Sequence, residues 1–331
     1  MFYSLPIETK LDIFKCLNYK ELCSISQTNF YFYDFIKNFE DKLAREEFHC
    51  IKILTDDSDL FDDVPRKLIK LEIEDFGFPL NEQLEEKFKD GLEKPISLYF
   101  PDQETKNIVI TLTRGFCKTI YLLQLPNIVQ SKEDIKIVYN HLNKLFKCAF
   151  KSSVFEDFIF NPELIELLFE NAPKQFYSQN CWLFLDCNVG DHLKFALNHL
   201  IITDYMQLSF RPDKDKTKTI NILSKILMNG DKFRGVRLTS NKYFNLFDFA
   251  MNFIETTKDC SKMVDFIGLS CVYMKIILHE RAENIEEHRL DEDYLSVTKY
   301  QISNKYNPKI KFSILYWKAQ GKIIDIEIKQ I

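Results

Sequence analysis

Glycine is scarce, at 8 of 331 residues. Loops that cradle phosphate and the tight turns of all-β designs both draw on glycine's backbone freedom, so both are disfavoured. Walker, dinucleotide and Gly-x-Ser-x-Gly patterns are absent as well. Paired cysteines are missing too. The 9 cysteines (Cys16, Cys23, Cys50, Cys117, Cys148, Cys181, Cys187, Cys260 and Cys271) are scattered, odd in number and never two residues apart. This excludes the usual zinc spacing and suits reduced thiols in the cytoplasm or nucleus rather than a secreted disulfide framework. Charge of one sign is lacking: 44 basic residues against 49 acidic ones leave a net charge of −5 with no basic stripe. Nucleic acid and acidic membranes are therefore not the expected partners. No apolar run approaches the ~18 residues of a membrane span. The opening MFYSLPIETKLDIF carries Pro6, Glu8 and Lys10 where a secretory signal needs an apolar stretch, so neither a span nor a signal is expected.

Apolar material is plentiful. The chain is 46% hydrophobic and holds 30 Phe, enough for a large core. No metal or cofactor is expected. The acidic stretch TDDSDLFDD (55–63) reads as a solvated linker, because a calcium loop needs a Gly turn among its oxygen ligands. Cys181, Cys187 and His192 lie close in sequence without a ligand pattern, and His192 and His199 read as surface or packing residues. No cysteine stands in a setting that would activate a thiolate, so no catalytic residue is expected.

The first fifty residues read as three short amphipathic helices. Pro6 suits a first helical position and Glu8 the first turn, followed by Ile7, Leu11, Phe14 and Leu17 at helical spacing. Asn18 with Glu21 forms a capping-box pattern before Leu22 and Ile25, and Asn29 can cap a third helix bearing Phe32, Phe35, Ile36, Phe39 and Leu43. Helices this short cannot cover faces this wide, so the rest of the chain or a partner must bury part of them.

The order Leu5-Pro6-x-Glu8-x-x-Leu11-x-Ile13-Phe14-x-x-Leu17, then Glu21-Leu22, Ile25 and Phe32, resembles the F-box family. Thr28 and Phe32 stand where that family often has Val and Trp. The resemblance implies docking onto a Skp-type adaptor, and through it onto a cullin scaffold and a RING subunit. The implied contacts are Leu5, Pro6, Leu11, Ile13, Phe14, Leu17, Leu22 and Ile25, apolar helix faces that meet grooves on the partner.

Behind this region short apolar segments recur about every 24 to 35 residues, centred on Leu71, Leu98, Leu122, Cys148, Leu183, Leu208, Leu238, Leu269 and Val297. Helical patterns lie between them, clearest at 133–146, 162–172, 189–200 and 244–257. Such spacing signals stacked repeats, and alternation of strand with crossover helix predicts an α/β solenoid. It is similar to the leucine-rich-repeat horseshoe, without that family's full Leu and Asn ladder. A doubly wound sheet or another α/β array also fits the alternation. At the end, Ile310, Phe312 and Ile314, then Ile324, Ile326 and Ile328, alternate with polar residues around Ala319-Gln320-Gly321, which predicts a hairpin that could cap the open end of a solenoid.

The expected organisation is thus α/β: an F-box over 1–48, an acidic linker over 49–65, a leucine-rich-repeat-like helix–strand domain over 66–300 and a β-hairpin cap over 301–331. If each central Leu points into the core, its neighbours face outward. Tyr99, Tyr121, Trp182, Phe184, Gln207, Arg237 and Thr239 then form a client-binding face rich in residues typical of interaction hot spots. The expected role is a non-catalytic substrate adaptor of a cullin–RING ubiquitin ligase for a client protein the sequence does not name. The alternative is an interaction scaffold without ubiquitin output.

Overall fold

The computed structural model describes residues 2–56, 64–69, 71, 95–101, 107–115, 119–169, 174–185, 189–210, 216–240, 246–270, 278–289, 295–320 and 322–331. Helices α1 (Ile7–Lys15), α2 (Tyr19–Ser26) and α3 (Phe30–Asn38) form the N-terminal module. Asn18 and Glu21 close a reciprocal capping box on α2, and Asn29 accepts from the Phe32 amide at 3.0 Å to start α3. Pro6 stands just outside α1, one position before the expected one. Phe14, Leu22, Phe35 and Leu43 are the buried centre of the module, a core separate from the rest of the chain.

The body is dominated by a 13-stranded sheet. Strand β1 (Glu46–Thr55) pairs in parallel with β8 (Cys148–Phe155), followed by β10 (Phe176–Leu185), β11 (Leu200–Phe210), β12 (Phe233–Ser240) and β13 (Phe266–Ser270), each beside its predecessor. Helices α4 (Lys132–Phe146), α5 (Pro162–Leu168), α6 (Val189–His199), α7 (Lys216–Leu227) and α8 (Leu246–Thr256) supply the crossovers. The strand order within this run never reverses, so the switch point of a doubly wound sheet does not occur in it. Parallel crossovers share one hand, and a run that grows in one direction therefore collects its helices on one face.

Register makes that face explicit. Phe155, Leu183, Leu208, Leu238 and Leu269 are direct neighbours across five strands, and each is 0% exposed. The helices bury Leu142, Ile165, Leu193, Leu223 and Ile254 in the same core. Each such side chain contributes about 1.5–3 kcal/mol of burial free energy before entropy costs.

Several expectations change. The start of the expected linker, residues 49–55, is part of β1, a strand deep inside the sheet, while 57–63 lie outside the described residues. The first segments do not continue the parallel run. The 96–100 segment forms β3 (Ile96–Ser97) and β4 (Tyr99–Phe100), which pair with β7 (Ile128–Val129) and β9 (Ile159–Phe160) in two small sheets. Next to β1 stands β5 (Ile108–Thr113), antiparallel, then β6 (Ile120–Leu123) and β2 (Arg66–Leu68). The segment around Val297 is β15 (Leu295–Ser303), which lies antiparallel between β14 (Glu283–Arg289) and β16 (Lys311–Ala319). The C-terminal hairpin of β16 and β17 (Lys322–Gln330) adds to the sheet by pairing β17 with β13, so it extends the open edge within the sheet. A register shift at Trp317/Lys318 turns Ile323 inward and leaves Ile324 half-buried, against the expected alternation.

Candidate functional site

Two surfaces carry most of the residues expected to take part in binding. The first is the outside of the three-helix module. Pro6 and Ile13 are exposed there, with Leu5, Leu11, Leu17 and Ile25 half-buried. Phe14 and Leu22 depart from the expected partner contacts: both are 2% exposed and hold the helices together. Periodicity marks an apolar face without saying whether the chain or a partner covers it, and the 3.6-residue repeat brings Phe14 to the seam. The sequence reading missed other outward residues: Ile7 is 56% and Phe30 78% exposed, with Tyr3 and Tyr33 also outside. Phe32 packs among Phe2, Tyr3 and Phe14, with ring centroids 5.4 to 5.9 Å away. Lys10 is buried, donating from Nζ to the Tyr3 carbonyl at 2.8 Å over the Tyr31 ring. Nothing in its local pattern distinguishes it from a surface lysine.

The module joins the body without a spacer. Arg45 donates to the Phe146 carbonyl at 2.6 Å, at the end of α4, and its guanidinium lies 3.8 Å from the centre of the Tyr177 ring. Lys147 and Glu40 pair at 2.8 Å. The helices therefore sit at the end of the strands where β1 begins, beside the start of β8 and β10.

The second surface is the face of the parallel strands opposite the helices. Trp182, Gln207 and Arg237 are direct neighbours across β10, β11 and β12, and Phe184, Ser209 and Thr239 form the next row. All six are half-buried, in contrast to the leucine row between them. Trp182 meets Tyr205 edge-to-face at 5.9 Å. Arg237 is held by Asp325 of β17 at 2.8 and 2.9 Å and by Ser270 at 3.1 Å, and Ser270 in turn donates to Asp325 at 2.8 Å. Its guanidinium crosses Gly268, where a Cβ would come within 3.2 Å of the Arg237 Cγ. Gly235 likewise leaves room for Phe266, whose ring a Cβ there would overlap. These glycines and Asp325 escape sequence reading, because only register shows what lies across each strand.

Two residues expected on this face lie elsewhere. Tyr99 is 1% exposed and stacks on Phe160 in a small sheet, because its segment leaves the main sheet. Tyr121 pairs with Leu112, which belongs to the buried core, so it projects from the helix-side face. There it lines a cavity of about 550 Å³ with Arg114, His141 and Cys148.

Four of the described thiols are unsuited to act as nucleophiles. Burial raises Cys50, Cys181 and Cys260, and pushes Cys148 up to about 12 with Glu46 adding to the effect. Activation requires the opposite shift. His192 and His199 are buried packing residues of α6. Among the described residues no cluster of His, Cys, Asp and Glu could hold a metal, while Cys187 lies outside them.

The geometry agrees with comparison to known families, in which the F-box domain family matches residues 2–43. These residues are an F-box domain. A second family, described as a domain of unknown function (DUF8381), matches residues 69–211. That match runs from the end of β2 to the end of β11 and omits β1, although β1 belongs to the same sheet. Searches of curated proteins and of solved structures returned no match. F-box domains bind Skp-type adaptors, and the proteins that carry them act in general as substrate adaptors of cullin-type ubiquitin ligases. The F-box thus gives the N-terminal module a general kind of partner.

Proposed function

We propose that this chain is the substrate-recognition adaptor of an SCF-type cullin–RING ubiquitin ligase. The observation that carries the reading is the F-box domain joined directly to a sheet in which β10, β11 and β12 present a half-buried aromatic and polar row that no described helix covers. The F-box takes a Skp-type adaptor through Pro6, Ile13 and their apolar neighbours. The open face takes a client protein through Trp182, Phe184, Gln207, Arg237 and Thr239. The strand–helix run serves as a leucine-rich-repeat-like client domain, and the protein works in the cytoplasm or nucleus. No catalytic group is required. The assembly raises the effective concentration of client lysines beside the charged ubiquitin carrier, which is supplied by the partner subunits.

Separation of function tests this. The double variant Leu5→Ala/Pro6→Ala in the full chain should lose a purified Skp-type adaptor, and Trp182→Ala should keep it. Proteins whose half-lives lengthen on depletion of the chain should be restored by the native chain and by neither variant. Unchanged half-lives throughout would support a scaffold without ubiquitin output.

A further inference from the structure

Among the described residues, the charges of this face around Arg237 are already matched. Arg237 pairs with Asp325, and Lys329 with Glu327, all within rows that continue across β12, β13 and β17. The next cations along the Arg237 row are Lys52, reached through Gln207, Trp182 and Val154, and Lys299, reached as far away on the other side through Gly268, Glu327 and Leu315. Four strand spacings separate Lys52 from Arg237, roughly 19 Å, too far for both to grip one phosphate. A phosphorylated side chain carries about −1.5 to −2 charges and binds where several cations converge. Here it would meet one guanidinium already neutralised, with the Asp325 carboxylate beside it. On β10, β11 and β12 the other residues named in these rows are aromatic, amide or hydroxyl: Trp182, Phe184, Tyr205, Gln207, Ser209 and Thr239.

We infer that this face recognises an unphosphorylated, near-neutral segment of its client, with an apolar or aromatic side chain against Trp182 and Phe184. Gln207 supplies hydrogen bonds to the segment's amides or carbonyls. Arg237 donates from the guanidinium nitrogens that Asp325 does not engage, and its rigid mounting over Gly268 fixes their direction. The inference rests on the client-face reading above and adds the chemistry of what is read.

The test is a display library of short random unmodified peptides, selected on the full-length chain, with each retained peptide then synthesised with and without phosphate on its Ser, Thr or Tyr. Retained peptides should carry near-zero net charge and weaken roughly tenfold or more on Trp182→Ala, as for a hot-spot residue. Gln207→Ala, a smaller change, should weaken them in the same direction, while Leu5→Ala/Pro6→Ala should not. Phosphorylation should lower affinity, and Asp325→Asn should recover part of that loss. Preference for the phosphorylated forms with Trp182 dependence intact would overturn this inference and leave the client face standing. Retention of peptides insensitive to both Trp182→Ala and Gln207→Ala, or no retention on the native chain, would overturn the client face itself.

Discussion

The F-box and the sheet body solve burial differently. On the helix side of its parallel strands the body encloses its apolar residues: the row from Phe155 through Leu269 has no exposure, and helices pack against it. The F-box closes on Phe14, Leu22, Phe35 and Leu43 and leaves Ile7, Ile13 and Phe30 in solvent. The body is thus complete in its helix-side core, whereas the F-box keeps part of its apolar surface for another molecule. A core substitution should act on the body as on any folded domain, while an outward F-box substitution should act on assembly.

The largest effect should come from Leu208→Ala. This side chain is fully buried at the middle of the row, and its truncation should cost about 2–5 kcal/mol. Denaturant unfolding checks this. A loss well under that range would mean that the row is looser than its burial indicates.

A second effect separates the regions by pH. Burial holds His141 down to about 4, with Lys144 adding to the effect, whereas the unfolded chain binds a proton near the ordinary 6.5. Between those values the unfolded state carries more protons, so body stability should fall as pH drops from 6.5 towards 4, by an amount of order 1–3 kcal/mol. Residues 2–43 contain no histidine and lack this source of sensitivity. Thermal melts of the native chain and His141→Gln across this range check the sign, since the variant should show a flatter profile.

A smaller effect concerns the F-box alone. Asn18→Ala removes one half of the α2 capping box and should cost about 1 kcal/mol, with no change at the open sheet face. Hydrogen exchange resolved along the chain should show faster exchange within α2 and unchanged protection in β10 to β12.

The parts of this organisation that are local were legible in the sequence. The capping box at Asn18 and Glu21, helices α4, α6 and α8, and the inward Leu183, Leu208, Leu238 and Leu269 all follow from spacing and side-chain chemistry. Strand direction was not legible, because alternation is the same in parallel and antiparallel pairs. That is why the Val297 segment was grouped with the parallel strands, although it is antiparallel to both its neighbours. β1 was hidden by the acidic run that follows it, although its residues EEFHCIKILT contain the strand pattern. On the open face, Trp182, Phe184, Gln207, Arg237 and Thr239 follow from period-two alternation within good strands, and Tyr99 fails because its segment forms only short pairings outside the main sheet. Asp325 needed tertiary structure, since it is 88 residues from Arg237 in the chain. Phe14 and Leu22 show the same limit for the F-box, where core and interface share one periodic stripe.

The most direct measurement is the mass, by light scattering after gel filtration, of the full-length chain mixed with a purified Skp-type adaptor. The native chain should form a one-to-one complex, and Ile13→Asp, which alters a side chain already in solvent, should remain folded and monomeric. No complex with the native chain, or an undiminished complex with Ile13→Asp together with Pro6→Ala, would contradict the assignment of the outer F-box surface to that partner.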